Sequence, residues 1–139
     1  MKIKLFSWPS FLSIKFNQES FWKLIKELWR DVKLRWFLLS TLFLNLIIWV
    51  ASVFINLKAQ DNVIALHHNI YFGITLIGDA KNVYFIPFLG LIALVVNLIL
   101  ANIIKKEEKI FMLIFSICSL IVNIFLFLGI TSIVLINFR

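Results

Sequence analysis

The sequence predicts an all-α membrane protein: three transmembrane helices preceded by an N-terminal amphipathic interfacial helix. Residues 36–57, 82–104 and 110–138 hold no charged side chain, and ~20 apolar residues are enough for a helix to cross hydrocarbon about 30 Å thick. The 139-residue chain is 62% hydrophobic with a mean hydropathy of +0.99, well above that of a soluble domain. Its charges lie between the apolar runs, where a bilayer would meet water.

Residues 1–35 form a basic amphipathic segment. Its start is basic, but Pro9 and Lys15 interrupt the apolar stretch and no small-residue cleavage site follows, so a cleaved signal peptide is not expected. Between Ser20 and Trp36, the residues Phe21, Leu24, Ile25, Leu28 and Val32 recur at helical spacing. Trp22, Trp29 and Trp36 flank them seven residues apart, and Lys23, Lys26, Glu27, Arg30, Asp31 and Lys33 fill the other side. An aromatic apolar face opposite a cationic face suits a helix lying among lipid headgroups. With neither Gly nor Pro between Pro9 and Gly73, two geometries stay open. The chain bends at the surface and buries the tryptophans in lipid, or one long helix projects and offers them to a partner. The preference of Trp for the interface favours the first.

The spans are placed at 36–57, 83–104 and 110–137, separated by an outward loop at 58–82 and a turn at 105–109. Eleven of the 14 basic residues precede the first span or sit in the turn, leaving Lys58, Lys81 and Arg139 on the other side. By the positive-inside rule the N-terminus and the turn are cytoplasmic, and the loop and C-terminus face outward. A cell-membrane, multi-pass location follows. The same basic residues imply contact with anionic lipid rather than nucleic acid. So short a turn makes the second and third spans antiparallel neighbours. Pro87 falls in the first turn of the second span, where a missing amide costs little. The third run, about 29 residues at 1.5 Å each, is long enough to tilt or emerge.

Asn45, Asn97, Ser116, Ser119 and Asn123 are polar residues that lie inside the spans. Measured from the span ends adjoining the basic segments, Asn45 is ~13 Å deep, Asn97 ~10 Å, Ser119 ~13 Å and Asn123 ~20 Å. The first three are expected to share a layer. Ala93, Asn97 and Ala101 form a small-polar-small row with Gly90 nearby, and such rows permit close helix approach and interhelical amide bonds. Such residues glue helices or protomers together, or line a polar pathway. No Asp, Glu, Lys, Arg or His lies in any span, which favours glue, because ion and proton coupling usually employ one. Cys118 lacks an intrachain partner, so disulfide and cysteine-metal chemistry are excluded and a buried, unreactive thiol is expected.

The outward loop alternates Ile64, Leu66, His68, Ile70 and Phe72 with Ala65, His67, Asn69 and Tyr71, as in a short strand or a segment packed on the membrane face. Gly73 and Gly78 punctuate it. Neighbouring histidines on a strand point to opposite faces, so His67 and His68 are poorly placed to share a metal. No metal or cofactor is expected. The stretch IALHHNIYFG and the IPFLGL that opens the second span resemble an uncharacterised bacterial inner-membrane family. Its members carry an outward proline, histidine and asparagine loop, then glycine, then a proline-bearing transmembrane helix. The module is also found in membrane immunity proteins against the sporulation-delaying toxin. His67, Asn69, Gly73 and Pro87 fit the pattern, whereas Ala65 replaces its proline and His68 its aromatic; about 40 of the 139 residues are covered. The resemblance implies a bacterial inner-membrane protein with a packed outward loop; it does not imply a catalytic activity, and the immunity role belongs to a subset with longer architectures.

Function is expected to be non-enzymatic, since Ser116 and Ser119 have no His or Lys at their depth to act as a base. The leading expectation is a membrane subunit acting by association (accessory, sensor or immunity-like), in a homo-oligomer or with a membrane-protein partner. Its surfaces would be the loop motif of His67, His68, Asn69, Tyr71, Gly73 and Pro87, the Trp22, Trp29 and Trp36 stripe, and the intramembrane amides. The alternative is a small homo-oligomeric channel or transporter built on the polar layer.

Overall fold

The structure is a computed structural model that describes residues 22, 25–26, 28–59, 63–69, 71, 73–104 and 109–138. Residues 1–21 and 105–108, with the expectations that fall on them, lie outside the described residues, as do Lys23, Leu24, Glu27, Ile70 and Phe72 of the two patterned segments. Helix α1 spans Val32–Lys58. Strands β1 (Val63–Asn69) and β2 (Gly73–Asp79) follow, then a short 3-10 helix at Ala80–Tyr84, α2 at Phe85–Ile104 and α3 at Lys109–Asn137. Three helical stretches, Val32–Lys58, Ala80–Ala101 and Ile110–Asn137, are long and apolar enough to cross a membrane. The chain is a multi-pass membrane protein whose connecting loop adds a hairpin to the helical fold.

Helix α1 begins four residues before the charge-free run because Asp31 caps it. Asp31 has extended backbone (φ −84°, ψ 116°), and its Oδ1 accepts from the amides of Lys33 at 3.0 Å and Leu34 at 3.4 Å. These are donors that a helix start otherwise leaves unpaired. The single long helix allowed by the sequence is thereby broken: Trp22, Ile25, Lys26 and 28–30 are helical, the chain bends at Asp31, and α1 starts afresh. The apolar side of the preceding segment packs on the bundle, with Leu28 buried against Leu34, Ala101 and Met112 and Ile25 beside them. Trp22, Trp29 and Trp36 all stay exposed. Trp22 and Trp29 lie before the bend at Asp31 and Trp36 lies after it, on α1.

Each span presents its buried residues at alternating spacings of three and four. In α1 these are Leu34, Thr41, Asn45, Ile48, Ser52 and Ile55. Val83, Pro87, Gly90, Leu94 and Ala101 continue the pattern through the 3-10 helix and α2, as do Met112, Ser119, Asn123, Ile130 and Ile133 in α3. A 3.5-residue seam is the signature of helices packed with a small left-handed crossing, common in membrane bundles. Most of the remaining surface of the spans is exposed Leu, Ile, Val and Phe, as lipid contact requires.

The hairpin is antiparallel, pairing Val63 with Asp79 at its base and Asn69 with Gly73 at its tip. Gly73 has φ +72°, a conformation that few residues other than glycine adopt readily. The register shifts on either side of His67, first at Leu66 on β1 and then at Thr75 on β2, so the two offsets cancel. The bulge also ends the simple alternation read from the sequence: Ile64 and Ala65 are both buried and His67 is exposed. Ile64 joins Ile48, Ile55, Ala80, Val83, Ile130 and Ile133 in one apolar cluster. The loop therefore folds back on the bundle.

Candidate functional site

Between that cluster and the Leu28, Leu34, Ala101 and Met112 cluster at the other end lies a polar middle. Asn45 Nδ2 donates to the Pro87 carbonyl and to Asn123 Oδ1, both at 3.0 Å. Asn123 Nδ2 donates to the carbonyls of Gly90 at 3.4 Å and Ser119 at 3.0 Å. One pair of side chains thus ties all three helices. Both asparagines are almost fully buried, and a buried amide must find its partners within the protein. Gly90 provides the room: a Cβ there would stand 2.4 Å from Asn45 Nδ2 and 2.5 Å from Asn123 Oδ1.

The structure places Asn97 Nδ2 3.4 Å from Ser119 Oγ, as the shared layer requires, but Asn45 is elsewhere. Starting α1 at Val32 rather than at residue 36 adds four residues, ~6 Å, to its depth. Asn45 therefore stands at ~20 Å, level with Asn123 rather than with Ser119. Ser116 turns back on its own helix, donating to the Met112 carbonyl at 2.8 Å. Thr41 does the same towards Phe37 at 2.8 Å. Thr41, Asn97, Ser116 and Ser119 line a cavity of about 20 Å³ with Leu94, Leu98 and Phe115 among its apolar walls. That is room for about one water. Among the described residues, those lining it carry amide and hydroxyl groups but no charged or imidazole group.

A second polar set, unread in the sequence, fastens the hairpin. Asn137 Oδ1 accepts from the Ala65 amide and its Nδ2 donates to the Ala65 carbonyl, both at 2.8 Å. A side-chain amide here satisfies the strand edge as another strand would. Asn56 Nδ2 donates to the Ala80 carbonyl at 3.1 Å. Ser52 Oγ lies 3.5 Å from the Val83 carbonyl, which Pro87, lacking an amide, cannot serve as its i+4 donor. The signal available in the sequence was spacing: Ser52 continues the Asn45 seam by seven residues, and Asn137 continues the Asn123 seam by fourteen.

Of the loop residues, His67 is exposed and its Nδ1 lies 2.7 Å from Thr75 Oγ1 across the strands. His68 and Asn69 follow it in β1, Tyr71 is in the turn, and Pro87 lies in the polar middle rather than with the loop. Among the described residues no three His, Cys, Asp or Glu stand together as a metal site would need. Cys118, expected to be buried, is exposed on the outer face of α3, because it falls off the three-and-four seam. Compared with protein-family models, with curated proteins and with solved structures, the chain matches none.

Proposed function

We propose that this small membrane protein acts by association, as a non-catalytic accessory, sensor or immunity-like subunit. The observation that carries the reading is the hairpin. It is held to the bundle through Asn137 and Ile64, yet β2 leaves Ile74, Leu76 and Ile77 each more than half exposed. An anchored apolar strand whose outer edge is unpaired among the described residues suits docking to a membrane-protein partner or a second copy. The intramembrane amides, by contrast, are engaged within one chain, so the association surfaces are the hairpin and the exposed Trp22, Trp29 and Trp36. In this reading the N-terminus and the α2–α3 turn are cytoplasmic, and the hairpin is outside.

The test is purification from the native membrane in mild detergent, comparing the unchanged chain with I74E/L76E. A stoichiometric partner or defined oligomer that the double variant loses while remaining folded is the expected result. Complexes indifferent to the hairpin and to W22A/W29A would sink the reading. A second reading, a homo-oligomeric channel or transporter, is favoured by the cavity of Thr41, Asn97, Ser116 and Ser119. It expects solute flux in liposomes that S119V abolishes; proteoliposomes no leakier than protein-free ones would rule it out.

A further inference from the structure

We propose that the cleft formed by Trp49, Tyr84, Phe85 and Phe88 beneath Lys81 binds an anionic phospholipid, with its phosphate on Lys81 and one acyl chain along the rings. The proposal is independent of the association reading. Trp49 of α1 and Tyr84 of the 3-10 helix meet with ring centroids 6.0 Å apart and planes tilted by 33°, making an aromatic floor where the two elements converge. Phe85 and Phe88, in the first turn of α2, are 65% and 52% exposed and wall a laterally open cleft of about 320 Å³. The cleft opens on the apolar surface of two helices able to cross a membrane, so hydrocarbon rather than water lies against it.

Its polarity is graded along one direction. Lys81 stands at the charged end of the otherwise apolar Ala80–Ala101 stretch, one turn before Tyr84. The Asp79 carboxylate accepts from the backbone amide of Lys81 at 2.9 Å, fixing the main chain while the exposed ammonium makes no ion pair among the described residues. A cation at the boundary, then two rings with polar edges, then phenylalanines, matches an amphiphile with an acid at the top and a chain below. Trp and Tyr favour this depth. The cleft has the volume of a small ligand site, enough for the upper part of one acyl chain. A soluble partner lacks the hydrocarbon, and an apolar helix lacks the acid.

The experiment uses the full chain carrying W8F, W22F, W29F and W36F, so that Trp49 is the sole indole. It is placed in phosphatidylcholine nanodiscs doped with acyl-brominated phosphatidylglycerol or, at equal mole fraction, acyl-brominated phosphatidylcholine. Quenching of Trp49 is expected to report about fivefold enrichment of the anionic lipid, the worth of one lysine at an anionic surface. K81Q should bring the two lipids to parity, whereas K33Q at the opposite end of α1 should not. Equal quenching by both lipids, or a preference surviving K81Q, overturns the proposal. Quenching by neither lipid overturns it in favour of a cleft covered by protein. Should the four-Phe chain fail to fold, the K81Q-sensitive part of the quenching in the otherwise unchanged chain supports or overturns the proposal in the same way.

Discussion

Asn45 and Asn123 lock the three helices because each serves a second helix as well as its partner. Removing Asn45 leaves the Pro87 carbonyl without its side-chain donor and Asn123 Oδ1 without its donor. In bilayers such bonds are worth ~0.6 kcal/mol on average and ~1.7 at most. A double-mutant cycle of N45L and N123L is expected to give coupling of about 1 kcal/mol in reversible unfolding in detergent micelles; strictly additive losses would show that the bond contributes nothing. Gly90 is the stricter position. G90A drives a methyl into both amides, and overpacking of this kind costs ~1–3 kcal/mol, so the variant should unfold earlier by a corresponding shift. A G90A chain as stable as the parent would mean the asparagines repack freely. These residues were visible in the sequence as polar atoms in apolar runs, but their pairing was not. Locating Asn45 required knowing where α1 starts, and a four-residue error moves a side chain by ~6 Å, more than one layer of packing.

Helices and strands here are bounded by side chains that look unremarkable in the sequence. Asp31 reads as one more charge on a cationic face, yet its capping bonds end one helix and begin another. D31A is expected to cost about 1 kcal/mol and to extend the helix backwards through the bend, raising the helical signal in circular dichroism as Leu28 leaves its cluster. Unchanged helicity and stability would mean that the packing of Leu28 alone sets the bend. N137A should free the β1 edge at Ala65. Its amide should exchange with deuterium at least about tenfold faster, as expected when a bond worth ~1.4 kcal/mol is lost, while α2 stays protected. The spans themselves were legible, because a run of about twenty apolar residues without a charge matches the thickness of bilayer hydrocarbon and little else. The hairpin was half legible, since alternation marks a strand but compensating bulges at Leu66 and Thr75 hide its faces. The 3-10 helix was not legible: Ala80–Tyr84 is held by Asn56 and Ser52 of α1, contacts between distant residues with no local signature.

At the scale of the molecule, the bundle is an apolar cluster at each end with amides between them, and the positive-inside rule makes a testable prediction of its orientation. In a C118S background, a cysteine at Thr75 should react with an impermeant maleimide in intact cells, and one at Trp29 only after permeabilisation. The opposite pattern would invert the topology. The Asn137–Ala65 clasp adds a dimension of time. The two residues are 72 positions apart, so at ~5–20 residues per second a ribosome makes Ala65 roughly 4–14 s before Asn137. Throughout that interval the β1 edge has no partner from α3, and insertion of the final helix is what closes it. The hairpin's attachment is thus completed last: the Ala65 amide and carbonyl gain their side-chain partner only when the end of the final helix has been made.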